Sequence, residues 1–92
     1  MFGKKLGAFM TIQFRDRIEI ENLRNLPTEQ VASLERALHE GAQACPDPKR
    51  PRFYEISWQG KCYYVDLLPG GRRVILLAVW DAETAAAYAH VT

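Results

Sequence analysis

Glu55 and Asp66 are the residues of this chain that come nearest to a paired acid–base or metal-binding arrangement. Alternation in the two runs that hold them puts both on one face of a β-hairpin, diagonally opposed, a spacing that suits a metal ion or a glycosidic bond. With no histidine nearby, the pair reads better as solvated strand residues that discourage edge pairing. Lys49, Arg50 and Arg52 form the one basic run and have the chemistry to touch phosphates. Phe53 and Tyr64 share the carboxylates' face, where aromatic rings stack on bases or, with acids on either side, better cover a protein partner. The chain has no phosphate-cradling glycine loop, nucleophile elbow, Cys-x-x-Cys pair or His-Glu-x-x-His helix. No metal and no cofactor is expected.

These residues need a scaffold, and 92 residues allow one core and one domain. Apolar residues make up 48% and charged residues 25%, the balance of a globular domain and not of a disordered tail or a membrane protein. Twelve Lys and Arg against 11 Asp and Glu leave a formal charge of +1. No bulk attraction therefore draws the molecule to nucleic acid or anionic lipid, and such binding would need a local patch. Cys45 and Cys62 lack metal-ligand spacing and read as two free thiols of a cytoplasmic protein. Residues 1–9 read as a flexible leader, with Met10 an alternative start, because Gln13, Arg15 and Asp16 cut the apolar run short of a secretion signal. Residues 10–92 form the single domain.

Apolar residues at Met10, Ile12, Phe14, Ile18 and Ile20 alternate with polar ones, which is strand periodicity. Asp16 interrupts it, so a strand over Thr11–Phe14 is followed by a second strand or a short helix covering Ile18 to Leu26. Pro27 suits a first helical position, and Val31, Leu34, Leu38 and Ala42 share one face of a helix running from Thr28 to about Glu40. Gly41 stops it, and Pro46, Pro48 and Pro51 turn the next stretch into a loop.

Arg52 to Trp80 reads as a three-stranded meander with turns at Gln59-Gly60 and Pro69-Gly70-Gly71. A two-residue turn at Gln59-Gly60 pairs Trp58 with Lys61, Ile56 with Tyr63 and Tyr54 with Val65. Arg52, Tyr54, Ile56, Trp58, Lys61, Tyr63, Val65 and Leu67 then face the core, and Phe53, Glu55, Ser57, Cys62, Tyr64 and Asp66 face away. Val74 to Trp80 lacks alternation, as a central strand covered on both faces would, and its register stays open. Asp81 is a suitable N-cap for a short helix over Ala82 to Ala89. The expected fold is α+β: an antiparallel sheet of about four strands, the N-terminal one plus the meander, on one main amphipathic helix, with a short C-terminal helix.

Leu26-Pro27-Thr28-Glu29-Gln30 entering the helix, Tyr54-Glu55-Ile56 with Gly60-Lys61-Cys62-Tyr63-Tyr64-Val65 in the hairpin, and Val74 to Val79 before Tyr88 together resemble the RelE/ParE toxin superfamily, over roughly Thr11 to Tyr88. The resemblance implies a toxin–antitoxin protein that binds a macromolecular partner: a cognate antitoxin-like protein, a second copy of itself, or the ribosome or RNA. No membrane partner is expected. If the RNA cleavage of that family is retained, Arg72, Arg73, His90 and Lys61 would carry it, with Tyr64 and Tyr88 assisting and Lys49, Arg50 and Arg52 on phosphates. Against that, the family's hairpin arginine corresponds to Tyr64, and Trp80-Asp81 stand where an arginine follows the last core strand. Binding without catalysis is therefore expected, with Phe53, Tyr64 and Tyr88 as the partner-binding residues. The rival expectation is a non-enzymatic interaction or homo-oligomeric domain.

Overall fold

A computed structural model describes residues 9–82. Six strands form one mixed sheet: β1 (Met10–Ile12), β2 (Glu19–Asn22), β3 (Ala42–Pro46), β4 (Phe53–Trp58), β5 (Lys61–Leu67) and β6 (Arg73–Asp81), in the order β1-β3-β4-β5-β6-β2. The helix α1 (Thr28–Glu40) joins β2 to β3. All neighbours are antiparallel except β2, which runs parallel to β6. This corrects the expected four-stranded antiparallel sheet: β2 and β3 are additional strands, and the β2–β6 pairing makes the sheet mixed. The C-terminal helix expected over Ala82 to Ala89 lies, beyond Ala82, outside the described residues.

The helix follows its apolar stripe. Leu34, Ala37 and Leu38 are buried and Val31 packs beside them, while Gly41, at φ 100°, ends the helix in a conformation that an L side chain resists. Pro27 occupies the N-cap and not the first helical position. Ala42, placed by spacing on the helix, instead opens β3. Its Ala42 and Ala44 are buried on the core side. That strand is hidden in the sequence because its inward residues are small and its last residue is proline, tolerated where the ladder ends.

The hairpin register is as the turn chemistry dictates, with Trp58 opposite Lys61, Ile56 opposite Tyr63 and Tyr54 opposite Val65. Ile56, Tyr63 and Val65 are fully enclosed with Leu34, Leu38, Val74 and Leu76. Arg52 breaks the alternation: its φ of 73° turns its side chain from the core to Asp66, on the other face. In β6 the missing alternation has a cause beyond coverage. Tyr64 pairs with Ala78 and Val65 with Leu76, so Leu77 is an inserted bulge residue that shifts the phase of the strand.

The N-terminal strands sit on opposite edges of the sheet. From Ile12 to Glu19 the chain reaches at most about 25 Å when extended, and five strand spacings of a flat sheet come to about 24 Å. No slack would remain for the detour in which the Phe14 N–H donates to the Leu38 carbonyl at 2.7 Å and the Gln13 amide donates to the His39 carbonyl at 3.0 Å. The sheet is therefore curled, its edges drawn toward each other around α1, and residues 13–14 satisfy carbonyls that the helix end leaves open.

Candidate functional site

The face of the sheet turned away from α1 carries Phe53, Glu55, Ser57, Cys62, Tyr64 and Asp66, as the register requires. Two irregular segments border it. One is the loop from Asp47 to Arg52, closed by Arg50 N–H to the Asp47 carbonyl and Phe53 N–H to the Arg50 carbonyl. Within it the Asp47 carboxylate accepts the Lys49 N–H at 2.9 Å, an Asx turn of the kind an Asp-Pro step favours. The other is the turn over Leu23–Asn25, clasped by Asn22: its side-chain amide donates to the Leu26 carbonyl at 2.7 Å and its oxygen accepts the Leu26 N–H at 2.8 Å.

Between them lies a pocket of about 370 Å³ lined by Leu23, Arg24, Arg50, Phe53, Tyr64, Asp66, Ile75, Leu77 and Ala78. The Phe53 and Tyr64 rings touch, with centroids 5.6 Å apart and planes at 33°. The Arg50 guanidinium lies over Phe53, 5.4 Å from its centroid, a cation–π contact. Tyr64 donates its hydroxyl to Asp47. Burial, reinforced by the Asp47 carboxylate and partly opposed by Arg50, raises the Tyr64 pKa above the ordinary phenol range. The wall is thus a braced aromatic pair and not two loose rings.

Asp66 is only 6% exposed. Its Oδ2 accepts from Arg52 Nη2 at 3.2 Å, while its enclosed Oδ1 has no hydrogen-bond partner, a state that costs about 1–3 kcal/mol. The second enclosed atom in that condition, Trp58 Nε1, belongs to the opposite face of the sheet. Arg52 adopts its left-handed backbone at this same place, and a strained non-glycine residue costs on the order of 1–3 kcal/mol. Strain and an unsatisfied carboxylate oxygen therefore meet beside one pocket. Lys49, Arg50 and Arg52, the expected phosphate contacts, also share with Pro51 and Phe53 an open depression of about 570 Å³ on the loop.

The residues expected to cleave RNA are not brought together. Lys61 starts β5 and pairs with Asp81 at 2.8 Å; that hydrogen bond and charge raise the Lys61 pKa. Arg73 opens β6 at the other end of the strand pair, roughly 20 Å away along the strands. There it meets Glu21 at 3.2 Å and Glu19 at 4.0 Å. Arg72 is exposed on the β5–β6 turn. His90 and Tyr88 lie outside the described residues. The described carboxylates do not assemble a centre either: Asp66 lines the pocket without Glu55, and no group of three metal-binding side chains occurs among the described residues.

Cys45 and Cys62 are both buried, and no disulfide joins them. Strand β4 separates them, too far for a disulfide. Burial first, then the Glu55 carboxylate, pushes the Cys62 thiol pKa up, against a hydrogen bond with Ser57, so it is no activated nucleophile. Of the residues around the pocket, the sequence pointed to Arg50, Arg52, Phe53, Tyr64 and Asp66 and gave no notice of Leu23, Arg24, Asp47, Ile75, Leu77 and Ala78. The Asp47-Pro48 step signals the Asx turn, whereas nothing local announces that the turn after β2 reaches the far side of β6. No described helix is long and apolar enough to cross a membrane. No family model matches the chain, and neither the curated proteins nor the solved structures contain a match to it.

Proposed function

We propose that this chain is a RelE/ParE-like domain of a toxin–antitoxin type that binds a macromolecular partner on the open face of its sheet and performs no RNA cleavage. The observation that carries the reading is the partly buried Phe53–Tyr64 pair, held in place by Arg50 and Asp47. Aromatic rings already fixed in one rotamer lose little entropy when covered, which suits an interface. Of the carboxylates around this face, Asp66 is paired with Arg52, and Asp47 is tied to the Tyr64 hydroxyl. The separation of Lys61 from Arg73 and the ion pairs at both supply the case against catalysis.

Inducing the chain in a bacterial host and following growth tests it, together with capture of a bound partner by tagged wild type and by Phe53→Ala. Capture that Phe53→Ala abolishes, with growth unaffected, is the expected result. Growth arrest abolished by Arg72→Ala, Arg73→Ala and His90→Ala together would replace this reading with a nuclease. Self-association through the same face is the second reading, favoured by the near-neutral charge of +1. Light scattering at tens of micromolar separates the two, because only self-association raises the mass of the isolated protein.

A further inference from the structure

We propose that the pocket between the Leu23–Asn25 turn and the Asp47–Arg52 loop binds a small, flat aromatic monocarboxylate, with Arg24 holding its carboxylate. This goes beyond the partner-binding reading and does not depend on it. The apolar body of the site comes first from β6. Val74 and Leu76 are fully buried toward the core, so Ile75 and Leu77 face away from it, and the bulge at Leu77 adds Ala78 to the same side. The open face of an antiparallel sheet is ordinarily polar, yet here three apolar residues of one strand stay only partly buried. The touching Phe53 and Tyr64 rings give the site an aromatic side that suits a flat ring. Leu23, also in the lining, is 55% exposed, so a ligand seated there removes apolar surface from water.

Charge decides the polar end of the ligand. Asp66 is the one carboxylate in the lining, and it is enclosed and balanced by Arg52, so it leaves no free negative charge at the mouth. Arg50 and the Asp47 carboxylate act on the same Tyr64 hydroxyl in opposite directions, so their charges largely offset one another. Arg24 has no such neighbour: it is exposed and makes no ion pair with another described residue. Of the acids further along the open face, Glu21 is held by Arg73 and Glu55 does not line the pocket. One unbalanced guanidinium matches one carboxylate, which its planar fork takes through two parallel hydrogen bonds. A volume of about 370 Å³ lies within the range of small-ligand sites.

The test titrates the full chain with 2-naphthoate, its neutral isostere 2-naphthamide, the saturated cyclohexanecarboxylate and 2-naphthyl phosphate, by calorimetry and by amide chemical shifts. 2-Naphthoate is expected to bind roughly tenfold more tightly than 2-naphthamide, several-fold more tightly than cyclohexanecarboxylate, and no more weakly than the phosphate. The shifts should gather at Leu23, Phe53 and Leu77. Arg24→Gln is expected to remove the preference for 2-naphthoate over 2-naphthamide and to leave 2-naphthamide unchanged. Arg36→Ala, an exposed cation on α1 across the sheet, should change neither. Both arginines are exposed, so neither substitution opens the core, and circular dichroism checks the fold. No saturable binding at millimolar concentration would overturn the proposal, as would equal affinity for 2-naphthoate and 2-naphthamide, an Arg24→Gln variant that keeps the preference, or shifts centred away from the pocket. Tighter binding of 2-naphthyl phosphate would overturn the assignment to a monocarboxylate.

Discussion

Arg52 donates to Asp66 at 3.2 Å from a backbone held at φ 73°, so one residue both carries strain and relieves a buried charge. Arg52→Ala keeps the strain and strips the carboxylate of its partner. It is expected to lower stability by about 1–3 kcal/mol, a range set below that of a fully buried pair because Arg52 is half exposed. Arg52→Gly loses the same pair but relaxes the backbone, and should be less destabilising than Arg52→Ala by about 1 kcal/mol. Urea unfolding of the two variants checks this. Equal midpoints would mean that the left-handed conformation carries no measurable cost.

Tyr64 gives the molecule an alkaline limit. In the unfolded chain its hydroxyl titrates near pH 10, whereas burial and the Asp47 bond raise its pKa in the fold. The raised group contributes stability in full below about pH 10, and that contribution is lost as pH rises through the folded value. Tyr64→Phe should therefore be less stable than wild type at neutral pH by about 0.5–1.5 kcal/mol, with the gap closing in alkali. Denaturant unfolding at several pH values measures it. A gap that stays constant above pH 10 would show that the hydroxyl is not protected in the fold.

Both thiols should be silent in the native protein. Cys45 and Cys62 are buried, and the Cys62 thiol is pushed further from its thiolate by desolvation and Glu55. Titration with a thiol reagent at neutral pH is expected to find little rapid reaction before denaturant is added and two equivalents after it. Mild oxidants should yield no intramolecular bridge, because β4 lies between the two residues. Rapid reaction of Cys62 in the native state would place it at the surface and contradict its burial.

What the chain discloses in advance divides along a physical line. Local periodicity and turn chemistry act over a few residues, so α1 and the Gln59-Gly60 hairpin register, with Phe53, Tyr64 and Asp66 on the open face, are legible from spacing alone. Long-range pairing is not. The union of Glu19–Asn22 with β6 joins segments more than fifty residues apart, and an Ala-Gln-Ala-Cys strand carries almost no β signature because packing fixes its small residues. The bulge at Leu77 and the reversal at Arg52 each shift a side chain to the other face without any change in composition. Half of the pocket was therefore visible as a hairpin surface, and the half supplied by Leu23, Arg24 and β6 waited on tertiary structure.

Asn22 tests whether that second half is held or merely adjacent. Its side chain makes both bonds of the clasp to Leu26, and Asn25, at φ 55°, depends on the closure of that turn. Asn22→Ala removes the donor and the acceptor together, leaving the Leu26 N–H and carbonyl to find water. The expected cost is about 1–2 kcal/mol, below that of emptying the core because the site is only part-buried. The local effect should exceed the global one. Hydrogen exchange at Leu23–Leu26 is expected to quicken well before that of β4 and β5, whose amides are secured by neighbours on both sides. If exchange quickens uniformly across the sheet instead, the turn is an integral part of the cooperative fold, and Arg24 is positioned by the whole domain and not by Asn22.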